Sequence, residues 1–167
     1  MVLTIDENGM AKSSAHKNRI VERAYHLAVD QIGLAPPSLV FDPLTFSLAS
    51  GDPDTLDSAM QTLDSLRWIQ RHYPDCHTSL GISNISFGFS KAARKILNSV
   101  FLYHALQAGL DMAILNAAEV LPYQAIAKQE KQAAEALLFN QSEHALTDFI
   151  RTFENQTREE ASEAYAS

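Results

Sequence analysis

Residues 78–116 have the sequence TSLGISNISFGFSKAARKILNSVFLYHALQAGLDMAILN, which contains a complete strand–helix–strand unit. Residues 78–82 can form a strand, which ends at a polar stretch at 83–88. Apolar residues then recur at three- and four-residue spacing until Gly109, which predicts an amphipathic helix with a glycine stop. A second apolar run follows at residues 112–115. Two strands joined through a helix run parallel, because the crossover is long enough to return the chain.

The sequence before and after this stretch repeats the pattern. Short apolar runs predict further strands, and apolar residues at helical spacing predict further helices, namely strands 2–5 and 38–41 and helical segments 14–32, 53–73, 133–138 and 146–153. The second of these helices is predicted to begin at Asp52 as its N-cap, with Pro53 at the first helical position.

Four strand–helix units in succession predict an α/β fold. They form the (βα)4 half of a TIM (β/α)8 barrel, with parallel strands alternating with helices, but they would serve equally well in an open flavodoxin-like sheet. The pattern alone leaves both architectures open. We expect one domain over residues 1–154, followed by a polar, Glu-rich tail at 155–167 that frays in solvent.

The composition excludes several classes of function. The formal net charge of -7 offers no basic stripe for nucleic acid or for an anionic membrane surface. One cysteine, Cys76, cannot form a disulfide framework or a multi-thiolate metal site, and we expect it to be a small structural residue. No apolar run reaches the ~20 residues of a membrane span, and no secretory leader is evident. We therefore expect a cytoplasmic protein with no metal ion.

Polar residues follow each predicted strand. They are Asp6, Asp42, Asn84 and Asn116. The loops after parallel strands converge on one face of the sheet, so these side chains are candidates for a common ligand site. A carboxylate can accept two hydrogen bonds from a heterocycle's N–C–NH₂ edge, and an amide can both donate and accept. Such residues are also ordinary turn formers, so this pattern by itself is weak evidence for a site.

Three longer segments carry a specific resemblance. They are residues 81–89 (GISNISFGF), 98–105 (NSVFLYHA) and 108–117 (AGLDMAILNA), with Arg94 between the first two. These segments resemble the folate domain of cobalamin-dependent methionine synthases, and the similarity extends from about Val2 to Phe153. The resemblance implies binding of a methyltetrahydrofolate, the methyl donor, and transfer of its methyl group to a cobalamin (corrinoid) on a partner domain.

The resemblance also implies roles for individual residues. Asn84 corresponds to the family's asparagine that hydrogen-bonds the methyl-bearing pterin nitrogen, so we assign it the catalytic role. Asp42 corresponds to the family's pterin-binding aspartate. Five further residues are expected to contribute to substrate binding, the first three by shaping the loop around the ring, and these are Ser83, Ser86, Phe87, Asn116 and Arg94. His104 is expected to pack, and Asp111 to orient the loop before its strand.

The resemblance implies that this sequence begins at the fifth strand of the family's barrel, so that the first half, with further pterin-binding residues, has no counterpart here. An isolated half-barrel would expose several hundred Å² of apolar sheet, at a cost on the order of 10 kcal/mol. We therefore expect a homodimer, or association with the missing half. A methyltransferase incomplete as an isolated chain is the leading hypothesis. The alternatives are a non-catalytic scaffold or interaction module, and a dihydropteroate-synthase-like pterin enzyme, whose Ser-Arg-Lys loop is missing here.

Overall fold

Four parallel strands form the sheet, and each pairs with the next one along the chain. A computed structural model describes residues 1–154. The six strands are β1 (Val2–Leu3), β2 (Ile5–Asp6), β3 (Gly9–Met10), β4 (Val40–Asp42), β5 (His77–Gly81) and β6 (Met112–Ile114). The parallel sheet has the order β1-β4-β5-β6, and β2 and β3 form a separate antiparallel hairpin.

This order decides between the two architectures left open by the sequence. In a flavodoxin-like sheet the first parallel strand lies between the second and the third. Here the second parallel strand, β4, lies between β1 and β5. In a TIM barrel each strand pairs with the next parallel strand in the sequence, as it does here. The prediction of a half TIM barrel is therefore confirmed.

Helices connect and cover the strands. They are α1 (Ser14–Tyr25, continued by a π-helical turn, His26–Gln31), α2 (Ser58–His72), α3 (Lys91–Gln107), α4 (Lys128–Leu138) and a helical segment over residues 145–154. Short 3₁₀ turns lie at Pro36–Ser38, Ile82–Ser86, Ala117–Glu119 and Tyr123–Ala125. The side chains of Ser13 and Ser90 accept hydrogen bonds from the first turns of α1 and α3, which explains where these helices begin.

The start of α2 differs from the prediction. The helix begins at Ser58, not after Asp52 and Pro53. The Asp52 side chain accepts a hydrogen bond from the Asp54 N–H, and the Asp52 carbonyl accepts one from the Thr55 N–H. The Asp-Pro pair therefore closes a local turn, which is the competing preference of aspartate at such positions.

The first predicted strand is also divided. Only Val2 and Leu3 belong to the parallel sheet, while Ile5 and Asp6 turn into the β2–β3 hairpin. Asp6 does not directly follow a parallel strand. Its carboxylate instead accepts a hydrogen bond from the Asn8 N–H and contacts His16 Nε2 at 2.7 Å. The hydrogen bond from His16 lowers the pKa of Asp6.

The two faces of the sheet have different surroundings. One face packs against the helices and buries Phe41 and Leu80 completely. The strand register places Leu3, Asp42, Ser79, Met112 and their alternate neighbours on the other face, where the side chains of the edge strands are the most exposed. On that face Leu3 is 47% exposed and Met112 is 42% exposed. We call this surface the inner face, because it would line the interior of a complete barrel.

The hydrophobic core lies on the helix side of the sheet. A larger cluster joins α2, α3, α4 and β5, and includes Leu63, Leu80, Leu97, Phe101, Leu138 and Phe149. A smaller cluster joins α1, α2 and β4, and includes Val21, Leu39, Phe41, Ile69 and Cys76.

Asp111, as predicted, orients the start of β6, because its carboxylate accepts hydrogen bonds from the Thr78 N–H and hydroxyl. The tail expected at 155–167 lies outside the described residues.

Candidate functional site

Asp42 is the last residue of β4 and lies on the inner face. It is only 7% exposed, and its Oδ1 accepts a hydrogen bond of 2.8 Å from the Leu44 N–H. This bond closes a turn in which Leu44 takes a positive φ of 60°, a conformation that costs energy for a non-glycine residue. Burial raises the pKa of Asp42, while the Leu44 N–H and the charge of Lys17 act in the opposite direction.

Lys17 holds the loop that follows Asp42. The residue comes from α1, is completely buried, and donates hydrogen bonds to the carbonyls of Pro43 (2.6 Å) and Leu44 (3.0 Å) and to the Thr62 hydroxyl (3.1 Å). The Thr62 hydroxyl itself donates to the Leu44 carbonyl. Helices α1 and α2 thus fix the strained turn next to Asp42. Burial lowers the pKa of Lys17 to about 8.

Asn84 lies in the 3₁₀ turn after β5, and its side-chain amide lies directly against the backbone of Gly81. A Cβ on Gly81 would lie 2.8 Å from Asn84 Nδ2, so glycine is required for the amide to occupy this position. The register puts Gly81 opposite Ile114 and on the same face as Ser79. The Asn84 amide therefore lies over the inner face. No residue within 1–154 hydrogen-bonds this amide, which leaves it free for a ligand.

The structure thus brings Asp42 and the Asn84 amide to the same face of neighbouring strands. Continuing the β4–β5 register places Asp42 opposite Ser79, two residues before Gly81. With strands ~4.8 Å apart and a rise of ~3.3 Å per residue, the α-carbons of Asp42 and Gly81 are separated by roughly 8 Å. A flat bicyclic heterocycle spans a comparable length, so one ring could contact both side chains.

The remaining predicted residues of the β5–α3 loop have different environments. Ser86 is completely buried, and its hydroxyl donates to the Ser83 carbonyl and accepts from Arg94 Nε at 3.3 Å. Its visible role is to hold the loop and orient Arg94. Phe87 is 72% exposed, and its carbonyl accepts a hydrogen bond from the Ser47 hydroxyl. Its ring is accessible to a ligand.

A second cavity lies beside this loop, between α3 and the segment after β6. Its volume is about 350 Å³. It brings together three residues predicted from the sequence with several that were not, and its lining includes Ser83, Arg94, Asn116, Lys91, Asn98 and Glu119. We call it the rim cleft. Asn116 Oδ1 caps the short turn that follows by accepting a hydrogen bond from the Ala118 N–H.

The rest of residues 1–154 contains one larger cleft and no evident metal site. A larger cleft of about 500 Å³ lies between the β5–α3 loop and the last helical segment, but its lining is mainly apolar and includes neither Asp42 nor Asn84. The described residues contain no group of three or more His, Cys, Asp or Glu side chains that could hold a metal ion. No helix in the described part combines the length and apolarity needed to cross a bilayer.

The fold and this site define a class, a half (β/α)8 barrel with a carboxylate and an amide at the carboxyl ends of its strands. Residues 2–116 match the family described as pterin binding enzyme, so the chain belongs to that family. It is 36% identical over 157 residues to methionine synthase of Mycobacterium tuberculosis, and 37% identical over 140 residues to that of Mycobacterium leprae. These alignments cover 92% and 84% of the chain but only 13% and 12% of the relatives.

Sequence reasoning missed Lys17, Lys91 and Asn98. Lys17 occupies a predicted helix, where lysine ordinarily faces solvent, so no local signal marked it. Asn98 offered a signal, because it interrupts the apolar face of α3 between Leu97 and Val100. A buried amide at such a position requires a partner, which is a reason to look for a ligand.

Proposed function

We propose that the chain binds methyltetrahydrofolate on its inner face and positions the N-methyl group for transfer to a corrinoid, on the path to methionine. The observation that carries the proposal is the common face of Asp42 and the Asn84 amide. Membership of the pterin-binding family and the similarity to methionine synthases support it. In this proposal the chain is the pterin-binding part of a methyltransferase.

Asp42 would recognise the pterin ring. One carboxylate oxygen is held by the Leu44 N–H, which fixes the orientation of the group. The carboxylate then accepts hydrogen bonds from the ring's N–C–NH₂ edge, as an ionised acid does from an amidine-like group. The nearby Lys17 charge favours that ionised form against the effect of burial.

Asn84 would act at the nitrogen that carries the methyl group. A tertiary amine is a poor leaving group unless it gains positive character, so protonation must precede or accompany the transfer. A neutral amide can accept from the protonated nitrogen or donate to the unprotonated one by rotating. A fixed cation in its place would oppose the protonation.

A reduced corrinoid, held by another domain, would supply the nucleophile that accepts the methyl group. This chain's own contribution is the orientation of the donor.

Calorimetric titration with methyltetrahydrofolate tests the proposal. We expect binding by the wild type, and a loss of affinity of about tenfold or more in Asn84→Ala and in Asp42→Asn, since each removes a group that would hydrogen-bond the ligand. Gln107→Ala and Asp75→Asn serve as matched controls, because both residues are exposed and lie at the opposite end of the strands. No binding up to millimolar ligand would contradict the proposal and favour a non-catalytic scaffold.

We further propose that the isolated chain associates with a second copy, so that two four-stranded halves complete a barrel-like structure. On the inner face Ile114 of edge strand β6 is 60% exposed, and Leu3 of the other edge strand is 47% exposed. Sedimentation at micromolar concentration should give a dimer, and Ile114→Asp should give a folded monomer. A wild-type chain that sediments as a stable monomer would rule this out. In a longer polypeptide, the other half of the barrel would take the place of the second copy.

A cytoplasmic location completes the proposal. Cys76 is a buried free thiol whose pKa is raised by burial, so it stays protonated and unreactive. A fold that uses no disulfide suits a reducing compartment. Cell fractionation should recover the protein with cytoplasmic marker enzymes, and recovery with the membrane fraction would contradict the assignment.

A further inference from the structure

The rim cleft contains polar groups that the fold itself does not use. Asn98 is 8% exposed, and its Oδ1 has no hydrogen-bond partner in the described part of the chain. No partner is seen there for its Nδ2 either. A buried amide left without partners is unfavourable, so its position in α3 calls for a ligand that both donates and accepts.

Two cations line the same wall as Asn98. Lys91, Arg94 and Asn98 occupy positions i, i+3 and i+7 of α3, which places them on one face of the helix. Within residues 1–154 Lys91 forms no ion pair, and Arg94 uses only Nε, in its bond to Ser86. Glu119 lies on the cleft's lining as well, so two cations and one anion leave a single net positive charge.

The cleft also lies next to the proposed pterin position. Ser83 lines it, and the following residue is Asn84, whose amide lies over Gly81. Consecutive α-carbons are about 3.8 Å apart, so a molecule on the inner face could extend into the cleft without a long spacer.

We propose that the rim cleft binds the acyl-glutamate end of the folate, an inference that rests on the proposed function. Arg94 and Lys91 bind a carboxylate of the glutamate. Asn98 pairs with the amide that links the glutamate to the aromatic ring, since an amide offers one donor and one acceptor to another amide. The single net positive charge of the cleft matches one bound carboxylate.

The test compares two ligands, methyltetrahydrofolate and an N-methylated tetrahydropterin that lacks the benzoyl-glutamate. We expect wild-type protein to bind the folate at least about tenfold more tightly. Arg94→Met and Lys91→Met should each reduce folate affinity by about tenfold and leave affinity for the tail-less pterin unchanged. Lys95→Met is the matched control, because this lysine is on the same helix but does not line the cleft.

Asn98→Leu provides a second readout. The leucine has a similar size and removes the unpaired amide, so we expect the variant to be at least as resistant to urea as the wild type while it binds folate more weakly. Asn98→Ser keeps a smaller polar group and tests the same point if the leucine variant does not fold. Weaker folate binding together with unchanged tail-less pterin binding would support the assignment.

The measurements distinguish a failure of the rim-cleft assignment from a failure of the proposed pterin binding. If the wild type binds both ligands with equal affinity and the α3 variants change neither, the cleft assignment is overturned and the pterin site stands. If the wild type binds neither ligand, the proposed function fails and this inference fails with it. If Lys95→Met weakens folate binding as much as Arg94→Met does, the effect is one of general charge and the cleft is not the site.

Discussion

Replacing Lys17 by methionine tests the energetics of the buried ammonium group beneath the Asp42 loop. Methionine has a similar length and removes the charge and all three hydrogen bonds. Burial lowers the pKa of Lys17 from the usual 10.5 to about 8. In the unfolded chain the residue keeps its ordinary pKa, so between these two pH values the unfolded state binds a proton that the folded state has lost.

The sign and size of the effect follow from this linkage. Stability rises with pH wherever the unfolded state binds more protons, so the Lys17 contribution is least favourable below pH 8 and improves as the pH rises towards 10.5. Each pKa unit corresponds to about 1.4 kcal/mol. The unfolding free energy of the wild type, minus that of Lys17→Met, should therefore be level from pH 6 to 7.5 and then increase by roughly 3 kcal/mol across the window.

Urea unfolding followed by the fluorescence of Trp68, the sole tryptophan, measures this difference at successive pH values up to 10. Subtracting the variant cancels the titration of tyrosines and of Cys76, which both proteins share. Lys12→Met is the control, because it removes an exposed lysine that pairs with Asp54 and makes none of the contacts of Lys17. A Lys17→Met difference that stays constant from pH 7 to 10 would refute the reasoning.

Three other substitutions test particular contacts. Gly81→Ala should weaken methyltetrahydrofolate binding by about tenfold in calorimetry with little change in stability, because the new methyl group displaces the exposed Asn84 side chain. Gly109→Ala should lower the unfolding free energy by about 1–3 kcal/mol in urea titration, since φ is +99° and the new Cβ would lie 2.9 Å from the Gln70 side chain; an unchanged midpoint would contradict this. Leu97→Ala, in the completely buried core, should cost about 2–5 kcal/mol by the same measurement, and a loss below 1 kcal/mol would mean that the core is loosely packed.

Much of the fold could be predicted because helices and strands leave local periodicities in the sequence. The strand centres and the helical stretches of α1 and α3 were found at their observed positions within about two residues. The predicted start of α2 was wrong, since Asp52 and Pro53 are as suitable for a turn as for a helix start. The division of the first strand was also missed, because Ile5 continues an apolar run and nothing local marks the hairpin.

The candidate site was only partly accessible to such reasoning. Asn84 and Asp42 were identified by resemblance and by their places after strands, and their role in binding stays a prediction. The role of Lys17 could not be predicted from the sequence, because its burial depends on two helices and a loop that meet only in the folded chain. The grouping of Lys91 and Asn98 with Asn116 likewise depends on how α3 packs beside the segment after β6.

The sequence by itself determined the alternation of strands and helices, the parallel direction of the strands and, through residues 81–117, membership of the pterin-binding family. Local periodicity and family-specific segments are properties of neighbouring residues, so a linear reading recovers them. The tertiary structure alone decided that β4 lies between β1 and β5 and that Asp42 shares a face with the Asn84 amide. Strand order and register are set by contacts between residues far apart in the chain, and a shift of one residue would have turned either side chain to the opposite face.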